Sequence, residues 1–309
     1  ACLTPVGQLG GRIVATVEGL IGHGALSRLQ KAFHKHGAAQ CGICSPGMLM
    51  AAAELVGTRE NFSRDDVLDA IGGVLCRCTG YQKIVEAVMD AANQQVDLPA
   101  SPAQGAALGA RAAKVDGLAK LTGAERYGAD DIPADALWLR IVRSPHHRAT
   151  FTTGDLAALM TRTPGLVRIL VAADVPSNGY GIYPHIKDQP VLADGQVRYR
   201  GEAVLGLVGT RAAVEGLADA DFPLTWMELE PVFGVTAATA PGAALVQADK
   251  PGNLLIDGTV RKGETADAFA RCAAVAEVAV ETPFVEHAYI EPEAGWARRV
   301  GDRLEIHVT

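Results

Sequence analysis

The chain has 309 residues, 49% of them hydrophobic and 20% charged, a balance that belongs to globular protein and a length that suits two or three domains rather than one. Its 28 Lys and Arg against 35 Asp and Glu leave a formal net charge of −7, which excludes the basic footprint of a nucleic-acid binder. No apolar run approaches the roughly 20 residues of a membrane span, and neither GxGxxG nor GxxxxGK(S/T) occurs, so the dinucleotide and nucleoside triphosphate fingerprints are both missing.

The chain opens on Ala1-Cys2-Leu3, with neither Met nor an apolar leader, and stops inside the alternating run Leu304 to Thr309. Both ends read as cuts through folded protein. The first hundred residues carry helical periodicity. Ala25 to His36 puts Leu26, Leu29 and Phe33 on one stripe, with Gly37 as the stop. Ser45-Pro46 reads as an N-cap followed by Pro at the first helical position, opening the apolar run Met48 to Val56 that Gly57 ends. Ser63-Arg64-Asp65-Asp66 resembles a capping box with Asp in place of Glu, ahead of Val67, Ile71 and Val74 on one face. A fourth helix spans about Gln82 to Ala92, with Ile84, Val88 and Ala91 on its apolar stripe. Short connections among four amphipathic helices predict an antiparallel bundle.

Of the six cysteines, four crowd between residues 41 and 78, while Cys2 and Cys272 stand apart. The spacings Cys41-x-x-Cys44 and Cys76-x-Cys78 are poor for separate disulfides and good for one metal site; four thiols that merely lie close is the weaker reading. Cys41 and Cys44 fall between the first and second helices, Cys76 and Cys78 between the third and fourth. In an up-down-up-down bundle those two connections lie at one end, so the four thiolates converge. Zinc and an iron–sulfur cluster both suit four cysteines. Backbone N–H groups near Gly42, Gly47, Thr79 and Gly80, and helix N-termini after Ser45 and Gly80, lean toward the anionic cluster.

From Leu98 to Ala113 the chain is rich in Ala, Pro and Gly and reads as a linker. Beyond it come short β-like runs at Trp138–Val142, Val167–Val171, Ala203–Val208, Ala273–Val280 and Leu304–Val308, with a helical stretch from about Arg211 to Ala220. That mixture predicts an α+β arrangement, with a further boundary near 231–241.

The segment Gln40-Cys41-Gly42-Ile43-Cys44-Ser45-Pro46-Gly47-Met48, followed by Cys76-Arg77-Cys78-Thr79-Gly80-Tyr81, closely resembles the second iron–sulfur domain of the xanthine oxidase and aldehyde oxidoreductase family. The resemblance extends along the chain. Ala1-Cys2-Leu3 is similar to the last strand of the family's plant-type ferredoxin domain, which makes Cys2 an orphaned ligand of the distal cluster; its other reading is an ordinary buried thiol. Lys120 to Asp130, Val142 to His146, Asp188 to Ala193 and Val197 to Val204 look like the α/β hammerhead domain, and His287-Ala288-Tyr289-Ile290-Glu291-Pro292-Glu293 resembles the opening of the molybdenum-binding domain.

The resemblance implies a multidomain α+β chain: residues 1–9 a ferredoxin remnant, 10–97 a four-helix 2Fe–2S bundle, 98–113 a linker, 114–235 an α/β hammerhead domain, and 236–309 the start of a molybdopterin-binding α+β domain. It implies that Cys41, Cys44, Cys76 and Cys78 bind the 2Fe–2S cluster nearest the molybdenum, and that Gln40 and Cys78 touch the pterin, expected in its cytosine dinucleotide form. The linker of about fifteen residues is too short for a flavin domain, an arrangement similar to the flavin-free bacterial aldehyde oxidoreductases and to some single-chain purine or nicotinate hydroxylases, so FAD belongs to a partner if anywhere. The implied chemistry is oxidation of an aldehyde or an aromatic N-heterocycle, a purine or nicotinate ring included, with water-derived oxygen; electrons leave through 2Fe–2S to a flavin, cytochrome or flavodoxin acceptor. The general base lies further along the family's chain, so no catalytic residue is named here. Implied partners are the rest of the same chain or a companion molybdenum subunit in an oligomer, in the cytoplasm or periplasm. Readings from other classes are a zinc-stabilised interaction module and a standalone electron carrier.

Other tempting residues carry blander readings. His146-His147 are expected as solvated loop residues, and Glu286-His287 with Glu291 and Glu293 as capping or solvent-facing groups. Cys272 reads as a small buried hydrophobe, and Tyr180, Tyr183 and Trp226 as core.

Overall fold

The structure of the protein, a computed structural model, describes residues 4–22, 24–92, 95–283 and 285–309. Cys2, expected as a cluster ligand, lies outside the described residues. The chain forms two compact units, one of residues up to 134 together with 279–309, the other of residues 135–278.

The first unit is built on α1 (Arg28–His36), α2 (Ser45–Thr58), α3 (Arg64–Ile71) and α4 (Gln82–Ala91). Reciprocal capping boxes, Ser27 with Gln30 and Ser63 with Asp66, satisfy first-turn N–H groups of α1 and α3. Gly37 ends α1 in the left-handed region at φ 61°, which a glycine adopts without steric cost. The start of α2 differs from the expectation: Cys44 is the N-cap and Ser45 the first helical residue, because Cys44 already has helical dihedrals (φ −79°, ψ −16°). The predicted stripes point inward, and Phe33, Met48, Leu49, Val67, Ile71, Ile84 and Val88 share one core. There α1 packs along α4, and α2 along α3.

No helix or strand forms across 98–113. The residues that follow return to the bundle as α5 (Gly117–Thr122), which adds Leu121 to the core. The buried Gln30 amide donates to the Leu121 carbonyl at 3.0 Å, tying α1 to α5. Among the described residues no helix is long and apolar enough to cross a membrane.

The second unit holds β1 (Trp138–Arg143), β2 (Ala149–Thr153), α6 (Leu156–Arg162), β3 (Leu166–Leu170), β4 (Gln196–Val197), β5 (Ala203–Gly209), α7 (Arg211–Glu215) and β6 (Leu224–Glu228). They make two antiparallel three-stranded sheets, ordered β1-β5-β3 and β4-β2-β6. Central β5 is apolar along its length, as a strand covered on both faces must be. Its neighbour Glu202, 2% exposed, is neutralised by Arg198, whose guanidinium and backbone N–H each donate to it at 2.5 Å.

The hairpin β7 (Gly295–Val300) and β8 (Arg303–Val308) belongs to the first unit, joined through Gly301 at φ 63°. The expected Leu304–Val308 strand thus pairs within the chain, and Trp296 stacks on His307 at 3.9 Å.

Several expectations change. Residues 273–280 form no strand, and Val275, Val278 and Val280 are exposed. The helix expected over 211–220 ends at Glu215, ahead of Gly216. Cys272 is exposed and donates to the Ala268 carbonyl rather than filling a core. Tyr180 and Tyr183 lie at the surface, while Trp226 is half-buried against Phe151 and His146, 5.2 and 5.3 Å between ring centroids. His146 is accordingly no free loop residue, since its Nδ1 lies 2.5 Å from the Glu228 carboxylate. Strands β2, β4, β6 and β7 were not expected; β4 is two residues long, and the alternation of Ala149 with Phe151 and of Leu224 with Trp226 covers only five residues in each strand.

Candidate cluster site

Two loops at one end of the bundle bring the four cysteines together. The first runs from the end of α1 through Gln40, Cys41, Gly42 and Ile43 to Cys44, and the second joins α3 to α4. Cys78 Sγ lies 3.5 Å from Cys41 Sγ, and the Cys44 and Cys76 thiols are near enough to influence each other's titration. The four thiols therefore gather from both loops, with Cys41 and Cys78 in direct contact across them.

The second loop is held by its own side chains. The Cys76 N–H donates to the Tyr81 hydroxyl at 2.9 Å, and Thr79 Oγ1 sits 3.1 Å from Cys76 Sγ. Gly80 at φ 60° and Tyr81 at φ 66° turn the chain sharply into α4. In the first loop Gly42 lies at φ 94°, and a Cβ there would come within 2.7 Å of Lys120 Cγ and 2.8 Å of Tyr127 Oη. The Tyr127 hydroxyl donates to the Cys41 carbonyl at 3.3 Å. Lys114 and Lys120 donate to the Gln40 carbonyl at 2.5 and 3.0 Å.

Burial pushes the Cys44 thiol well above the usual range, and the other three cysteines add to it. Burial also raises Cys78, with the Cys41 thiol adding to it. At Cys76 burial acts in the same direction, but hydrogen bonds from Thr79 and Cys78 outweigh it and hold that thiol below its usual value. Four anionic thiolates in so small a space need a cationic centre to be stable together.

The donor set fits a binuclear centre. Four thiolates, two from each loop, suit two irons, each with two cysteine ligands. Ser45 Oγ, buried beside Cys44 without a protein partner, is a donor free to meet a cluster sulfur.

Beside the sulfurs lies a cleft of about 640 Å³, lined by Gln40, Cys41 and Cys78 on one side and by His287, Tyr289 and Glu291 on the other. Arg77, between the two cysteines of its loop, donates to the carbonyls of His287 at 2.6 Å and Glu286 at 3.3 Å. The segment expected to open the next domain is thus fastened over the Cys76–Cys78 loop. Its side chains, read from sequence as capping or solvent-facing, form a wall. Sequence reasoning missed Lys114, Lys120 and Tyr127; the only local signal was the four-residue spacing of Asp116 and Lys120.

Comparison with known proteins matches residues 16–89 to the 2Fe–2S binding domain and residues 122–218 to the α/β hammerhead domain of aldehyde oxidase and xanthine dehydrogenase. The chain is 32% identical to an aldehyde oxidoreductase of Megalodesulfovibrio gigas over 96% of its own length and 35% of that protein. It is 52% identical to the nicotine 6-hydroxylase small subunit of Paenarthrobacter nicotinovorans over 30% of its own length and 56% of that subunit. Its structure is similar to that of the aldehyde oxidoreductase from Desulfovibrio gigas, with a TM-score of 0.67 and 30% identity over 89% of this chain and 32% of that one. The chain therefore spans about a third of one of these curated relatives and just over half of the other.

Proposed function

The chain belongs to the aldehyde oxidase and xanthine dehydrogenase family of molybdenum hydroxylases, and on that premise we propose that it is the cluster-bearing part of an enzyme that oxidises an aldehyde. Cys41, Cys44, Cys76 and Cys78 hold one 2Fe–2S cluster, and Gln40 and Cys78 face a molybdopterin seated in the adjoining cleft. When bound, the cluster supplies one-electron transfer and the molybdenum cofactor supplies oxidative hydroxylation.

The observation that carries this reading is the contact between the Cys41 and Cys78 sulfurs at the wall of the cleft, with Cys44 and Cys76 on the same two loops. Gln40 and Cys78 belong to both places, so a group in the cleft lies against the sulfur site without intervening protein. This chain's residues orient and enclose. Thr79 and Tyr81 set the second cysteine loop, Lys114, Lys120 and Tyr127 hold the first, and Arg77 fastens the far wall of the cleft.

An aldehyde substrate is supported by the similarity to an aldehyde oxidoreductase across nearly the whole chain. The stronger identity to a nicotine hydroxylase small subunit covers only 30% of this chain, which does not choose a substrate. The molybdenum-binding remainder comes from the same polypeptide or a companion chain.

Iron, acid-labile sulfide and EPR measurements on the purified protein test the cluster. A reduced 2Fe–2S signal with two irons per chain is expected, and stoichiometric zinc without sulfide overturns the reading. Turnover of aldehydes against N-heterocycles by the complete enzyme tests the substrate class.

A further inference from the structure

Lysine is among the residues least often buried, because its ammonium loses water without recompense unless it is paired. Lys120 is only 8% exposed. Its ammonium donates to the Gln40 carbonyl at 3.0 Å and to Asp116 at 2.8 Å, with Glu125 at 4.0 Å. Its stem lies against Gly42, so closely that a Cβ there would collide with Cγ and Cδ. The lysine thus sits directly behind the loop that carries Cys41 and Cys44, and it belongs to neither of the two matched family spans, 16–89 and 122–218.

Helix docking alone does not call for a charge at this place. α5 is already anchored by Leu121 in the core and by the Gln30 bond to its backbone. An uncharged side chain of the same length would cover Gly42 equally well and avoid the cost of burying an ammonium.

We infer that Lys120 is a positioning residue that fixes the Gln40–Gly42 turn and places a buried positive charge beside the cluster, raising its reduction potential. The inference rests on the assignment of the four cysteines as cluster ligands. Reduction adds one electron to a site that is already anionic, and a nearby cation favours the reduced form electrostatically. Partial burial keeps solvent and salt from screening that effect fully. Lys114 donates to the same carbonyl from a more exposed position and contributes in the same direction, more weakly. Asp116 opposes both, and Glu125, 4.0 Å from the Lys120 ammonium, opposes Lys120.

The test is a redox titration of the full chain carrying its iron and sulfide, followed by EPR of the reduced cluster. Lys120→Met keeps the stem over Gly42 and removes the charge. It is expected to lower the equilibrium constant for reduction on the order of tenfold, equivalent to about 59 mV for one electron. Lys120→Arg stays nearer the wild-type potential, and Asp116→Asn moves it upward. A purely structural lysine changes iron retention or melting temperature but not this pattern of signs. If Lys120→Met keeps full iron and sulfide with an unchanged potential, the inference is overturned. If that variant loses its iron, Asp116→Asn decides: a rise supports the inference and no rise overturns it. A wild-type chain without a reducible cluster sinks the assignment of the cysteines first, and is told apart by its metal and sulfide content.

Discussion

Cys78 Sγ stands 3.5 Å from Cys41 Sγ across 37 positions of sequence, and each belongs to a different inter-helical loop. Contact between the loops depends on the bundle, and the stability of the bundle depends in turn on what the loops hold, because metal affinity and folding free energy are coupled when a site draws ligands from separate segments. Removing Cys78 Sγ, as in Cys78→Ser, is expected to abolish the 2Fe–2S signal and to lower the melting temperature of the helical unit. Cys272→Ser, at an exposed thiol in the other unit, is expected to leave both unchanged. Iron content with thermal melts of the two variants checks this. A Cys78→Ser chain that keeps its full iron complement sinks the ligand assignment.

Gly42→Ala tests the tight approach behind the first loop. The backbone there is at φ 94°, which a side chain rarely adopts, and the new Cβ meets a lysine stem whose ammonium is tied at its far end. Such strain costs roughly 1–3 kcal/mol. The melting temperature is expected to fall, and Lys120→Ala in the same chain should restore only part of it, because the backbone strain remains. Equal stability of Gly42→Ala and wild type would falsify the close packing.

The helical half was largely legible in the sequence, for reasons that were local. Leu29 and Phe33, Val67 and Ile71, and Ile84 and Val88 repeat at helical spacing and are all buried. The Ser63–Asp66 box is complete within four residues. The meeting of the two cysteine loops was legible because their motif is long. The strands were harder: Ala149–Thr153 and Leu224–Glu228 are short and pair with each other far apart in sequence, Phe151 opposite Trp226, while the β-branched run Ala273–Val280 forms no strand. Lys120 was illegible for a different reason. Its main acceptor is a backbone carbonyl 80 positions away, and a contact to backbone leaves no side-chain signature in the sequence.

Gln30 joins two devices. Its side-chain oxygen accepts from the Ser27 N–H at 2.9 Å, completing the cap of α1, and its amide donates to the Leu121 carbonyl of α5. It is fully buried. Gln30→Ala leaves that carbonyl unsatisfied and opens the α1 N-terminus, at a cost of about 2–4 kcal/mol for the two losses together. Denaturant melts check the size. Ser27→Ala, which leaves the α5 bond intact, should cost about 1 kcal/mol. If the two variants are equally stable, the bond to α5 contributes nothing.

The last prediction concerns Arg77. Its side chain donates to the carbonyls of His287 and Glu286, and these bonds fasten the residues that wall the cleft opposite Gln40 and Cys78. The arginine is exposed, so solvent competes for its guanidinium and the tether contributes only on the order of 1 kcal/mol. Arg77→Ala is therefore expected to leave the fold and the iron content unchanged, since no thiol is lost. Amide hydrogen exchange across 286–293 should rise about fivefold, the factor that about 1 kcal/mol represents, with no comparable change in α1 or α4. Arg77→Lys, which keeps the charge but not the forked pair of donors, should fall between the two. Exchange in this segment that is the same in Arg77→Ala as in wild type means that the wall is held by its own packing, and that the bonds from Arg77 do not set its position.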